Sequence, residues 1–294
     1  MYDISKPEEV NIQASEVLAY IEKELVHFSH RLGFRGQRCA DWQLSPSLTR
    51  FLLRLKEKNK IENSVSYDTI QQRILEEFKK NILINQDLTP EQLTLVDLWA
   101  YGQHHGLPTP LLDWTYSAYV GLFFALNEGT INETNGITQS RCLWVMDLDL
   151  LSHINTLIRE TIWPKMKDKI KPEEAMKRQI PTMNLIGDIN GYNRRIVYQQ
   201  GFFTKHVYYE SFEIWAERIA SEVSHECWNY PLLRKITFSA TENEISKMLI
   251  TLDKMNVNSR TLFPDIYGSV AQTCFAIEHR QNKGLISFSG STRK

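Results

Sequence analysis

The side chains best able to do chemistry crowd into residues 100–116, where Gln103, His104, His105, Thr109, Asp113 and Thr115 follow one another within a single turn-rich stretch. Gly102 and Gly106 punctuate it, and Pro108 and Pro110 cannot sit inside a helix or a central strand, so a stiffened loop is expected. Such a loop serves equally as a catalytic segment or as a connector whose buried polar groups satisfy one another. Upstream, Arg35 lies between Phe34 and Gly36, with Gly33 just before. Its planar fork of five N–H donors suits a phosphate or a carboxylate. The plainer role for Arg35 is a salt bridge to a carboxylate such as Asp113.

Several chemistries are disfavoured. The chain lacks the Gly-rich phosphate loop of P-loop and dinucleotide-binding enzymes, and it lacks a Gly-x-Ser-x-Gly nucleophile turn. His104 and His105 are adjacent, and neighbours on regular structure point apart, so they would not easily share a metal; no metal is expected. Cys39, Cys142, Cys227 and Cys274 have no paired spacing, which argues against structural zinc and fits four buried thiols in a reducing cytoplasm.

Positioning those residues requires a well-built core. With 294 residues, 42% of them hydrophobic and 23% charged, the chain can bury one as a single large domain or two small ones. Lys plus Arg (34) nearly balance Asp plus Glu (35), so no global field draws it onto nucleic acid or an anionic membrane. No apolar run is long enough to span a bilayer, and residues 1–5 lack the features of a secretory leader. A soluble cytoplasmic protein with no membrane partner is expected.

Residues 1–10 are expected to form a loose arm. Val17, Leu18, Ile21, Leu25 and Phe28 recur at helical spacing, with His27 and His30 at the helix end and Gly33 as its stop. Ser66 or Asp68 is expected to cap a helix burying Ile70, Ile74, Leu75, Phe78 and Ile82. Thr89-Pro90-Glu91-Gln92 has the form of a helix start and is expected to lead to a stop at Gly102. Thr115 or Ser117 opens the next helix, with Val120, Phe123 and Phe124 inward. Residues 129–141 have the composition of an exposed loop, and 142–148 of a buried strand. Residues 149–192 carry no motif and serve equally as insertion, lid or core, with helices expected near 149–159 and 172–180. Residues 196–204 look extended, 213–226 helical, and 232–238 a strand. Thr241–Glu244 is a second capping box, and Pro264 is expected to begin a last helix burying Tyr267, Val270, Ala271, Cys274 and Phe275.

The 103–115 stretch resembles the core signature of the FRG domain family, roughly Gln-His-Tyr-Gly-Leu-Pro-Thr-Arg-Leu-Leu-Asp-Trp-Thr before an apolar helix. The family's Phe-Arg-Gly tripeptide is matched by Phe34-Arg35-Gly36. Trp42–Leu48, Gln199–Phe203 and Thr261–Asp265 are similar to its remaining motifs. His105 stands where the pattern has Tyr, Pro110 where it has Arg, Ala118 where it has Pro, and Gly121 where it has Ala. The resemblance runs from about residue 31 to 271. It implies an N-terminal arm and helix over 1–30, an FRG domain over 31–275 and a tail over 276–294.

In its organisation this family resembles ADP-ribosyltransferases. That resemblance implies an α+β fold, with a small bent antiparallel sheet split around the central loop and surrounded by helices. It also implies NAD as substrate: Arg35, His104, Asp113 and Gln200 in catalytic roles, and Phe34, Gly36, Gln103, His105, Trp114, Thr115, Phe124, Gln199 and Phe202 lining the nucleotide site. Arg35 would grip pyrophosphate, an aromatic wall and Gln103 would hold nicotinamide, and Asp113 would stabilise an oxocarbenium ion. His104 would orient a ribose hydroxyl or act as acid/base, and Gln199 or Gln200 would supply the later polar group. Three functional classes follow. The first is an ADP-ribosyltransferase or NAD glycohydrolase, acting on a protein or nucleic-acid acceptor as a toxin or antiviral effector. The second is a non-catalytic NAD or ADP-ribose binding module. The third is a nucleic-acid-modifying or cleaving enzyme using the His104–His105 pair; the near-zero net charge counts against it, though a basic stripe of Arg194, Arg195, Lys205 and His206 could still reach phosphates.

Overall fold

The computed structural model describes residues 2–58, 60, 65–82, 93–127, 140–186, 194–223 and 228–279. In chain order, strand β1 (Glu8–Asn11) leads through helix α1 (Val17–Tyr20), continued by a π-helical turn at Ile21–Leu25, to β2 (Leu32–Gln37). Helices α2 (Ser47–Glu57), α3 (Tyr67–Ile82) and α4 (Leu95–His104) precede β3 (Leu111–Thr115) and α5 (Ala118–Leu126). After β4 (Ser140–Asp147) come α6 (Leu148–Leu157), a π turn at Ile158–Ile162, α7 (Trp163–Lys167), α8 (Pro172–Lys177) and β5 (Asn184–Ile186). Then α9 (Arg194–Tyr198), β6 (Gly201–Lys205), α10 (Phe212–Glu222), β7 (Leu233–Ser239), α11 (Glu242–Lys254), α12 (Ser259–Leu262) and α13 (Ile266–His279) complete the described chain.

Helices packed around one sheet make the fold α+β, but the sheet is larger and less uniform than expected. It has seven strands in the order β1-β7-β4-β2-β3-β6-β5, and β1 runs parallel to β7 while the other pairs are antiparallel. The N-terminal residues are therefore not a loose arm. Glu8 and Glu9 stand opposite Arg234 and Lys235 and pair with them, so cross-strand charge holds a short polar edge strand in register.

Strand β4 lies inside the sheet, between β7 and β2, and its continuous apolar run is buried on both faces. Trp144 and Met146 face a core shared with Leu151 and Ile154 of α6 and Phe212 and Trp215 of α10. Leu143 and Val145 face a core shared with Val17, Ile21, α5 and α11. Helix α6 and the π turn after it thus belong to the principal core. Helix α5 lies directly on β2, because Gly36 and Gly121 leave no side chain between backbones: a Cβ at Gly36 would collide with Gly121 O and Ala125 N.

Local signals set the helix starts. Ser117 accepts from Val120 N–H to cap α5, Ser66 accepts from Thr69 N–H before α3, and Thr241 with Glu244 forms the capping box of α11. The expected start at Thr89–Gln92 lies outside the described residues, as does most of the 129–141 loop. Helix α4 itself is capped by Thr94 with Asp97 and runs through Gly102 to His104. Gly33 does not stop a helix; it lies inside β2, beside Phe202 and Leu148. His30 is no helix cap either, since its Nδ1 sits 2.6 Å from the buried carboxylate of Asp147. Residues 196–198 are helical rather than extended. On α13, Tyr267, Val270 and Cys274 are exposed, against expectation, while Ala271 and Phe275 are partly buried. Cys39 and Cys142 are buried but Cys274 is not, and Cys227 lies outside the described residues. No helix among the described residues is long and apolar enough to cross a membrane.

Candidate functional site

The sheet parts between β2 and β3. Their ladder contains one residue pair, Phe34 opposite Thr115, although β2 pairs along its whole length with β4 and β3 along its whole length with β6. Beyond that pair the strands diverge and side chains take over. Arg35 reaches across, Nη1 donating to the main-chain oxygen of Asp113 at 2.7 Å and lying 3.6 Å from its carboxylate. Burial pushes the Arg35 guanidinium below its usual pKa, and the negative charge of Asp113 opposes that shift. Its Nε is buried without a hydrogen-bond partner.

A cavity of about 340 Å³ fills the parting, within the size range of small-molecule sites. Its walls are aromatic: Phe34 from β2, Trp114 from β3, Phe202 and Phe203 from β6, and Phe124 of α5 packed edge-on against Phe263. Arg35, Gln103, His104, Asp113, Arg195 and Gln199 supply its polar lining, and Gly36 and Thr115 complete the strand edges.

Of the expected site residues, Arg35, His104 and Asp113 therefore share one hollow with Phe34, Gly36, Gln103, Trp114, Thr115, Phe124, Gln199 and Phe202. His105 and Gln200 are not among its lining residues. His105 follows the last turn of α4, exposed, with its ring tilted against those of Tyr101 and His104. Gln200 has a φ of 48° and reverses the chain between α9 and β6; its side chain is exposed and its carbonyl accepts from Tyr116 N–H.

Several lining groups are tied to the protein itself. Gln103 donates from Nε2 to Asp113 Oδ1 at 2.5 Å and its Oε1 accepts from the hydroxyl of buried Thr109, so both ends of this amide are engaged. Gln103 thus orients Asp113 and is not a ready amide partner for a ligand. Asp113 does not cap α5, a task that falls to Ser117, and its side chain is 62% exposed. Thr115 donates to Gln199 O at 2.6 Å, and Gln199 Nε2 donates to Leu262 O at 3.1 Å. Trp114 is buried, its indole N–H bonded to Thr204.

Arg195 and Phe263 also line the cavity, and no local pattern in the sequence assigns them to it. Arg195 donates to Asp265 from Nε and Nη2 (3.0 and 2.5 Å) and lies 5.0 Å over the Phe263 ring, and its hydrogen bonds hold Asp265 below the usual carboxylate range. The signal was present, since Phe263 and Asp265 belong to the Thr261–Asp265 motif, but nothing local ties that motif to α9. The same pairing dissolves the expected basic stripe. Arg195 is neutralised by Asp265, Lys205 is partly desolvated, His206 is 1% exposed, and the side chain of Arg194 lies outside the described residues. Among the described residues no three His, Cys, Asp or Glu side chains cluster as metal ligands.

No curated protein and no solved structure matches the chain. A family model described as FRG domain does, over residues 30–134, a segment spanning β2 to α5 and with it Arg35, Gln103, His104 and Asp113, whereas the motifs at 199–203 and 261–265 fall beyond the match. The half of the cavity built from β2, α4, β3 and α5 is thus contributed by an FRG domain, and this chain carries that domain at residues 30–134.

Proposed function

We propose that the cavity binds NAD and that the chain cleaves the nicotinamide–ribose bond, as an ADP-ribosyltransferase-like enzyme or NAD glycohydrolase. The observation that carries this reading is the meeting of Arg35, His104 and Asp113 around one aromatic-walled hollow in a parted sheet. Three features that suggest ADP-ribosyltransferases converge there: Phe34-Arg35-Gly36 on β2, the β3-to-α5 junction with its hydroxyl residue Thr115, and the later polar residue Gln199.

In this reading Arg35 Nε donates to a phosphate oxygen while Nη1 stays on Asp113 O. The carboxylate of Asp113, held by Gln103, faces the ribose as the C1′–N bond breaks and its electron pair passes to the departing nicotinamide ring. The new C1′–O bond forms from water or an acceptor hydroxyl, whose proton passes to His104. Gln199 cannot act as a base. A protein or nucleic acid would be the acceptor in the transfer reaction, which would suit a toxin or antiviral effector.

Incubation of purified protein with NAD, alone and with lysate or nucleic acid, tests this by chromatographic detection of nicotinamide. Removing one charge-stabilising group, as in Asp113→Asn, should slow release by about 10²–10³-fold. If no condition releases nicotinamide, catalysis is refuted. A second reading, a binding module, is favoured by the engagement of the Gln103 and Gln199 amides within the protein; calorimetry would then show ADP-ribose bound without turnover.

A further inference from the structure

Arg35, Gln103 and Asp113 also line a second hollow, of about 180 Å³, which the first turn of α2 and the Gly106–Leu107 bend complete. Its chemistry differs from that of the aromatic cavity. Two guanidinium groups line it, Arg35 and Arg50, against the single carboxylate of Asp113.

Arg50 donates from Nη1 to Ser45 O and has no carboxylate within ion-pair distance among the described residues. Burial pushes its pKa down, and the positive charges of Arg35 and Arg54 push it further. Arg35 adds its buried, unpartnered Nε. The hollow thus holds more forked N–H donors than its acceptors use and one positive charge more than its acid offsets. A carboxylate offers two oxygens to such a pair, whereas a phosphoryl group offers three and a larger charge. The Ser47 hydroxyl, which accepts from Thr109 N–H at 3.0 Å, fixes the start of α2 against the loop and so holds Arg50 in place.

We infer that the Arg35–Arg50 hollow is a phosphoryl-binding chamber, taking the pyrophosphate of a nucleotide whose ring lies in the adjoining aromatic cavity. The ring's location rests on the nucleotide reading above; the chamber's preference for a phosphoryl anion does not. Arg35 serves both spaces, and Arg50 serves the anion alone.

Isothermal titration calorimetry at fixed ionic strength, with inorganic pyrophosphate and separately with ADP-ribose, tests this on the full chain. Wild-type protein should bind both. Arg50→Gln should weaken each by about tenfold or more, and Arg50→Lys, which keeps the charge but loses the fork, should fall between. Thermal melts of the variants establish that they fold, and Arg50→Lys preserves a donor for Ser45 O if the Gln variant does not. The inference is overturned if wild-type protein ignores millimolar pyrophosphate, or if the folded Arg50 variants bind it as tightly as wild type. It is overturned in its nucleotide part if Arg50→Gln weakens pyrophosphate but leaves ADP-ribose unaffected. Loss of the NAD-cleavage reading alone would leave Arg50-dependent pyrophosphate binding intact, so the two failures are distinguishable.

Discussion

His206 should make the protein's stability fall steeply in mild acid. It lies just past β6, 1% exposed, with its backbone N–H on Pro110 O and its ring near Phe212. Its Nδ1 is 3.2 Å from the carbonyl of Glu210, which only accepts, so Nδ1 carries the proton; Nε2 is bare, buried and without a partner. Burial, with a smaller contribution from the Arg35 charge, lowers its pKa from 6.5 to about 3. A folded-state pKa below the unfolded one means the unfolded chain binds the extra proton between those values. The stabilisation is therefore complete above about pH 6.5 and is lost as pH falls toward 3. Integrating one proton over that window gives a loss of about 3 kcal/mol between pH 7 and pH 4 from this residue. His206→Asn removes the titrating ring and keeps an N–H donor, at a packing cost of about 1–2 kcal/mol that does not depend on pH. Urea unfolding of both proteins from pH 7 to 4 should show wild type more stable at the upper end and the variant more stable at the lower. Parallel curves would refute the buried neutral imidazole.

Gly36→Ala should destabilise the fold by about 3 kcal/mol or more, because the new Cβ meets backbone atoms of α5 and neither element can yield cheaply; denaturant titration measures it. Gln200→Gly should raise stability by about 0.5–1 kcal/mol, since residue 200 holds a positive φ that glycine adopts without strain, and should leave ligand binding unchanged. Among the described cysteines, Cys274 should react rapidly with a thiol reagent in the native state. Cys39 and Cys142 should react only on unfolding, Cys142 being buried with its pKa pushed up to about 12.

Features legible in the sequence are those in which a few neighbouring residues settle the outcome. Ser117 and Thr241 cap helices through atoms three residues away, and the apolar run at 142–148 is buried because it lies inside the sheet. Features that escaped depend on distant partners. Strand β1 has an unremarkable sequence and exists because Arg234 and Lys235, more than 200 residues later, face its two glutamates. Ile196-Val197-Tyr198 has the composition of a strand, yet forms a turn of helix that places Arg195 on Asp265 and Gln199 on Leu262. That same turn decided between two adjacent glutamines. Gln199 lines the cavity and Gln200 does not, a consequence of one backbone angle that no periodicity encodes.

For Arg35 the sequence left two roles, a salt bridge within the fold and a ligand contact; the structure shows the contact with Asp113, and the ligand contact is the one proposed above. Where β2 and β3 part, the ladder can no longer satisfy Asp113 O, and Arg35 Nη1 does so instead. The guanidinium thus bridges the parted strands through Nη1 while the Arg35 residue lines the cavity. An Arg35→Ala variant removes a structural hydrogen bond together with the proposed anion contact, so lost activity in that protein has two explanations. Asp113→Asn separates them. Its side-chain oxygen can keep the Gln103 bond and its main-chain oxygen can keep Arg35, while the negative charge is gone. A folded Asp113→Asn protein with an unchanged melting temperature and unimpaired nicotinamide release would show that the negative charge of Asp113 does not act on the substrate. A folded, inactive one would show that its charge acts on the substrate.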